Sequence, residues 1–289
     1  MTDRARSDGG VAARSEFPRQ WRRPTVFYSR SVKYLFYTFV VAFIVWSVWS
    51  LRIPMERLLI GLDQIGFLAS NMFPPEFGVR FEGGRPVLND NGQRILTGVI
   101  ESLAMSFVAT AVGVLISIPI AFMAAENLVP KPVYAVGRSI VTLSRSFHEL
   151  VVAILLVKAL GFGALAGAAA LVFATPGFFA KLLAEDLEDI DRGQLEAIRA
   201  SGGSTIHVWL YGVLPQVVPR IVGLTIYRWD INIRASTVIG IVGAGGIGIT
   251  LINAFNRREY DFAMGIILII VAIVIIGEVV SAYARRRVQ

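Results

Sequence analysis

Glu196-Ala-Ile-Arg-Ala-Ser-Gly202-Gly-Ser-Thr-Ile-His-Val-Trp-Leu-Tyr-Gly212-Val-Leu214-Pro215 is a polar interval set between two apolar blocks of membrane length, Phe162–Leu183 before it and Gln216–Gly240 after it. Glycine reaches backbone angles closed to other residues, so Gly202-Gly203 reads as the meeting point of two short helices. Pro215 suits the first turn of the helix that follows, where its missing N–H leaves no bond unmade. Two spans joined within a membrane have no structural need for such an element. It has the form of a handle offered to another molecule.

Outward from the handle the chain is a succession of apolar blocks. Hydrophobic residues make up 55% of the 289 and mean hydropathy is +0.62, above the usual soluble domain. A bilayer crossing needs about 20 apolar residues. Blocks of that kind predict six spans: Val32–Leu51, Ile95–Asn127, Tyr134–Leu160, Phe162–Leu183, Gln216–Gly240 and Phe262–Ala284. The fold class is therefore an all-α membrane protein, a six-helix transmembrane bundle. Residues 1–31 form a polar, arginine-rich tail, expected to be mobile, and 32–289 the membrane domain. Within that domain, 52–94 is a hydrophilic segment with turn-forming runs at Gly83-Gly84 and Asn89–Gly92.

The charge of +7 is distributed as a membrane protein's and not as a nucleic-acid binder's. Arg4, Arg6, Arg14, Arg19, Arg22, Arg23 and Arg30 precede the first span, Lys33 stands at its start, and Arg285-Arg286-Arg287 follows the last. The positive-inside rule puts both termini in the cytoplasm. The connector at about 184–215 then lies in the cytoplasm and the 52–94 segment outside.

Several chemistries are excluded by inspection. There is no cysteine, hence no disulfide, thiolate metal site or thiol nucleophile. None of Lys33, Lys131, Lys158 and Lys181 follows the glycine that a phosphate-cradling loop requires. Gly243-Ala-Gly245-Gly246-Ile-Gly248 matches G-x-G-x-x-G after the strand-like Thr237–Val242, yet no βαβ unit can be built around it. It reads instead as a break near the outer face where backbones pack closely or bend at a gate. No Ser/His/Asp set, paired carboxylates or metal cluster supports an intramembrane enzyme.

What remains is charge inside the spans. Arg228, Asp230, Asn232 and Arg234 occupy the fifth. A charge at mid-membrane costs about 2.5–3.5 kcal/mol on insertion scales, so each should face protein or water. Asp230 and Arg234 are spaced as an i,i+4 ion pair; Arg228 is open to a helix anchor or a polar pathway. Arg145 and Glu149 repeat the i,i+4 spacing in the third span, beside His148, either as a satisfied polar break or as part of a gate. Gly163 and Gly167, with alanines between, have the small-xxx-small spacing of closely packed helices.

The handle resembles the cytoplasmic coupling loop of ABC importer permeases, whose Glu-Ala-Ala, Gly, Ile, Leu-Pro pattern is matched by Glu196, Ala197, Gly202, Leu214 and Pro215. It departs at Ile198, where the family has alanine, and at Gly212, where it has isoleucine. From about residue 70 onward the chain is similar to the phosphonate branch, through Phe73–Phe77, Ala125–Pro130, Gly161–Gly167, Tyr211–Val217, Tyr227–Val238 and Val242–Gly248. The resemblance implies a permease of the type I importer kind in a bacterial inner membrane. Two copies of the chain would work with two ATPase subunits and an extracytoplasmic phosphonate-binding protein. ATP and Mg would be used by the partner, and this chain would bind no cofactor. It also implies that Glu196 contacts the ATPase and that discrimination among phosphonates rests with the binding protein. The alternatives are a permease for phosphite or another small solute, and a self-sufficient channel or gradient-driven transporter.

Overall fold

The computed structural model describes residues 29–51, 54–82 and 84–288. The expected mobile tail, except for its last three residues, lies outside them, as do Arg52, Ile53, Gly83 and Gln289. The chain divides into two compact units, residues 1–64 and 65–289.

In the first unit, helix α1 (Arg30–Ser50) begins where the Ser29 side chain accepts the Val32 N–H at 3.2 Å, an N-cap that fits the predicted first span. Helix α2 (Met55–Asn71) follows and continues into the second unit. It was not foreseen: residues 52–94 were expected as a hydrophilic connection, but Leu58, Leu59, Leu62, Ile65 and Phe67 space apolar residues at helical intervals among the polar ones. The strands β1 (Val79–Glu82) and β2 (Arg85–Leu88) then form an antiparallel hairpin, with Val79 opposite Leu88.

The bundle of the second unit is built around two long helices, α3 (Asp90–Ala124) and, after α4 (Lys131–Ser146) and α5 (Glu149–Leu160), α6 (Ala164–Glu188). Leu171, Phe179, Leu183 and Leu187 of α6 are fully buried. Close approach between helices is made possible by small residues. A Cβ placed on Gly113 of α3 would lie 2.6 Å from Thr175 Cβ, and one on Gly137 of α4 would lie 2.6 Å from the Met123 carbonyl carbon. At one end of these helices Glu188 Oε1 accepts from Arg138 at 2.9 Å and from the Glu126 N–H at 2.8 Å, while Asn127 donates to the Leu187 carbonyl at 2.9 Å. The ends of α3 and α6 and the middle of α4 are thereby tied at the point where the chain leaves the bundle for the handle.

The remaining elements are α7 (Arg192–Ala200), a single turn α8 (Thr205–His207), a π-helical turn Val208–Val213, α9 (Leu214–Ile239), a 3-10 turn Gly240–Val242, α10 (Ile247–Asn256) and α11 (Tyr260–Val288). Among the described residues five segments are long and apolar enough to cross a membrane, and α4 with α5 makes a sixth if the bent pair counts as one span. The six predicted spans thus keep their places. One local expectation does not survive. Thr237–Val242, strand-like in sequence, is helical: it ends α9 and forms the 3-10 turn after it, and Ser236 and Thr237 bond back to the Ile233 and Arg234 carbonyls. The third span is interrupted within the polar cluster Ser144–Glu149: it turns by 84° at Phe147-His148, where Phe147 has extended backbone (ψ 128°) and His148 Nδ1 caps α5 by accepting the Leu150 N–H at 3.2 Å.

Candidate functional site: the handle, the bend and the glycine turn

The handle folds as its glycines and proline predicted. Asp191 caps α7 by accepting the Gly193 N–H at 2.9 Å. At the other end the Gly203 N–H donates to the Ile198 carbonyl and the Gly202 N–H to the Arg199 carbonyl, both at 3.0 Å. This is the paired C-terminal bonding that requires a left-handed residue, here Gly202 at φ +85°. Pro215 occupies the first turn of α9. Gln216, which no sequence motif singled out, joins the two ends. Its Oε1 accepts the Asp191 N–H at 3.0 Å and its Nε2 donates to the Gly212 carbonyl at 2.8 Å. The residue before α7 and the start of α9 are thus linked by hydrogen bonds through Gln216.

The outward side of this element is accessible and apolar. Glu196 and Ala197 are exposed on α7, and Ile206, Trp209, Leu210, Tyr211 and Leu214 all expose large hydrophobic surface, Ile206 and Tyr211 more than two thirds of theirs. Between α7 and the end of α3 opens a depression of about 410 Å³ lined by Glu196, Arg199, Arg192, Asn127 and Trp209. Apolar surface rimmed by charge, on an element outside the bundle, has the character of a protein-docking face.

A second constellation lies at the bend between α4 and α5. Arg145, His148 and Glu149 from the bend, Phe178 and Lys181 from α6, and Arg228 from α9 line one cavity of about 390 Å³. The structure thus brings together Arg145, Glu149 and Arg228, which the sequence separates by up to 83 residues. It also corrects one geometry. Arg145 and Glu149 are not an i,i+4 pair on a continuous helix, because the 84° turn falls between them. The other charged residues of α9 belong elsewhere. Asp230, 4% exposed at its side chain, pairs with Arg234 at 2.6 Å, and Asn232 donates to Thr110 Oγ1 on α3 at 2.9 Å. Asp230–Arg234 is the structural ion pair its spacing predicted. Lys181 was not foreseen as a lining residue; it also pairs with Glu185, one helical turn on, at 3.4 Å.

The glycine-rich turn is a packing node. Gly243, Gly245 and Gly246 have φ of +88°, +89° and +73°. The Gly243 carbonyl accepts the Gly163 N–H at 3.1 Å, and the Gly246 and Ile247 N–H groups donate to Glu101 Oε2 at 3.0 Å and Ser102 Oγ at 2.9 Å on α3. Side chains are excluded throughout: a Cβ on Gly167 would overlap the Ala244 carbonyl, and one on Gly248 the Thr237 carbonyl. The amides that would cradle a phosphate in a dinucleotide fold are spent here on α3.

Membrane-length helices, a cavity lined by charged residues and an exposed apolar element between two of the spans fit the transmembrane component of a transporter. Comparison with known proteins agrees. The model of the family described as binding-protein-dependent transport system inner membrane component matches residues 117–289. The phosphite transport system permease protein PtxC of Stutzerimonas stutzeri is 39% identical over 248 residues, covering 86% of this chain and 85% of that one. The phosphate-import permease protein PhnE of Mycolicibacterium smegmatis is 38% identical over 245 residues, covering 82% of this chain and 46% of that one. Among solved structures, the inward-facing MetNI methionine ABC transporter superposes with a TM-score of 0.58 at 22% identity, over 68% of this chain and 97% of that one, a likeness of fold. The chain belongs to the binding-protein-dependent transport system inner membrane component family, and is a multi-pass permease of the inner membrane.

Proposed function

We propose that this chain forms the translocation pathway of an ATP-driven importer for phosphonates and closely related phosphorus oxyanions. Two copies work with two ATPase subunits and an extracytoplasmic binding protein. The observation that carries the reading is the handle: an exposed apolar face on α7 and the π-helical turn, tied by Gln216 to the first turn of α9. ATP and Mg are held by the docked ATPase; its closure pushes α7, and α9 moves with it. Glu196 supplies a charge-assisted contact at that surface. The cargo class is supported by the stretches Tyr227–Val238 and Val242–Gly248, by relatives named for phosphite and phosphate, and by the cations at the α4–α5 bend.

The test is reconstitution in liposomes with the ATPase and binding protein encoded beside this chain. Uptake of methylphosphonate, aminoethylphosphonate, phosphite and phosphate is compared with and without ATP. Uptake that needs ATP and both partners is expected. Flux through this chain alone, without ATP or ATPase, would establish a channel or gradient-driven transporter and end the importer reading.

A further inference from the structure

Arg228 is 4% exposed in the middle of α9, and its guanidinium is bonded at Nε and unpaired at Nη2. Its Nε donates to Thr175 Oγ1 at 3.2 Å, and the guanidinium carbon stands 5.6 Å from the centre of the Phe178 ring. Those contacts fix the plane of the group. The terminal Nη2 is buried and has no hydrogen-bond partner among the described residues. A buried donor left unpaired costs about 1–3 kcal/mol, more when it is charged. Arg138 Nε and Arg285 Nη1 are buried and unpaired as well; what sets Arg228 apart is that it lines a cavity together with Arg145 and Lys181.

The cavity that Arg228 lines also receives Arg145 and Lys181, against one carboxylate, Glu149. The amino-terminal turn of α5 opens at the same place, since Phe147, His148 and Glu149 line it, and helix amino termini favour anions. We propose that this cavity is a binding site within the permease for the tetrahedral oxyanion group of the cargo, phosphonate, phosphite or phosphate. Arg228 Nη2 is its central donor, and Arg145 and Lys181 are its flanking cations. The site rests on the importer reading above and sharpens it: selection for an anionic phosphorus group continues inside the membrane after the binding protein has released its ligand.

The arrangement suits a waypoint better than a trap. A planar guanidinium fixed at Nε can match an oxyanion in a way an ammonium does not. Glu149 shares the cavity and opposes a second negative charge, which limits how long an anion stays. Transport requires that compromise, since a site must be favourable enough to enter and weak enough to leave. Arg145 is exposed and Lys181 half-buried, so both can reorient toward an arriving ligand while Arg228 stays fixed.

The experiment uses the full-length chain in complex with its ATPase subunits, in lipid nanodiscs and without the binding protein, probed with radiolabelled methylphosphonate and inorganic phosphite. Saturable binding is expected, displaced by unlabelled methylphosphonate and unaffected by the uncharged ester dimethyl methylphosphonate. Arg228→Gln is expected to weaken binding by about tenfold or more, the effect of losing one charge-assisted hydrogen bond, with Arg228→Lys recovering part of it. Arg145→Gln and Lys181→Gln, at accessible positions, should each weaken binding without changing the melting temperature or ATPase copurification, and they carry the test if Arg228→Gln does not fold. Absence of saturable binding to the wild-type complex, or wild-type affinity in the folded variants, overturns the site. Either result leaves the importer reading intact if ATP-driven uptake persists. Wild-type failure to take up any of the phosphorus oxyanions in the complete system would instead remove the cargo reading.

Discussion

Ile198 and Gly212 face each other across the handle, and both depart from the pattern the handle otherwise follows. The structure makes them one exchange. A Cβ built on Gly212 lies 3.2 Å from Ile198 Cδ1 and 3.3 Å from Leu195 Cδ2, so the isoleucine side chain on α7 fills the space an isoleucine on the π-helical turn would otherwise occupy. Cores tolerate such volume-conserving swaps and resist overpacking, which costs about 1–3 kcal/mol. Gly212→Ile alone should therefore destabilise the complex and weaken ATPase association, and Ile198→Ala should do the same by leaving a void. The double variant should recover most of both losses. Melting temperature and ATPase copurification across the four proteins test this, and additive losses in the double variant would refute the pairing. The same reasoning applies to Asp230 and Arg234. Asp230 is buried while Arg234 is 44% exposed, so removing the cation strands a buried carboxylate. Arg234→Gln is expected to cost about 1–3 kcal/mol, read as a lowered melting temperature. Asp230→Asn in the same chain should restore part of it, and an unchanged melting temperature in Arg234→Gln would show that the pair does not stabilise the helix.

Among the elements, the glycine turn between α9 and α10 depends most on having no side chains. Gly245 has φ +89°, and a Cβ there would lie 2.6 Å from both the Cα and the N of Ala164. Gly245→Ala combines left-handed strain of about 1–2 kcal/mol with a clash against backbone that cannot swing aside. A large fall in melting temperature is expected even though only one methyl is added; a stable, active Gly245→Ala protein would mean that the turn opens in the working state. The G-x-G pattern was visible in the sequence, but the partners that explain it, Gly167, Glu101 and Ser102, lie 78 to 145 residues away. The same limit recurs elsewhere. Ser144–Glu149 announced a break in the third span through its polarity, yet the sequence does not encode an 84° turn in any local signal, and the i,i+4 reading of Arg145 and Glu149 failed there. Helix α2 was masked by alternating polar residues that lowered its apparent hydrophobicity. The spans, the glycine corner of the handle and the place of Pro215 were legible because each depends on neighbours in sequence. The cavity at the bend was not, because Lys181 and Phe178 enter it only once α6 has packed between α4 and α9.

For the molecule as a whole, function depends on which face of the bundle meets which partner. The handle, between α6 and α9, is proposed to lie in the cytoplasm, and the β1–β2 hairpin outside. Reversal of charge at the handle should break docking without disturbing the bundle: Glu196→Arg, at an exposed position, is expected to reduce copurified ATPase and ATP-driven uptake while leaving the melting temperature unchanged. Normal copurification and uptake would remove Glu196 from the interface. Orientation can be tested directly because the chain contains no cysteine. Ser204 in the handle and Glu82 in the hairpin are both exposed, so Ser204→Cys and Glu82→Cys each create one reactive thiol. A membrane-impermeant maleimide applied to cells whose outer envelope has been opened should label Glu82→Cys at once. Ser204→Cys should react only after the inner membrane is permeabilised, or in inverted vesicles, where the pattern should reverse. Saturating the vesicles with ATPase should then slow labelling at Ser204→Cys and leave Glu82→Cys unaffected. Labelling of both thiols from one side would contradict the six-span arrangement. The reverse pattern would place the handle where no ATPase can reach it, and the positive-inside reading of the two arginine-rich ends would fail with it.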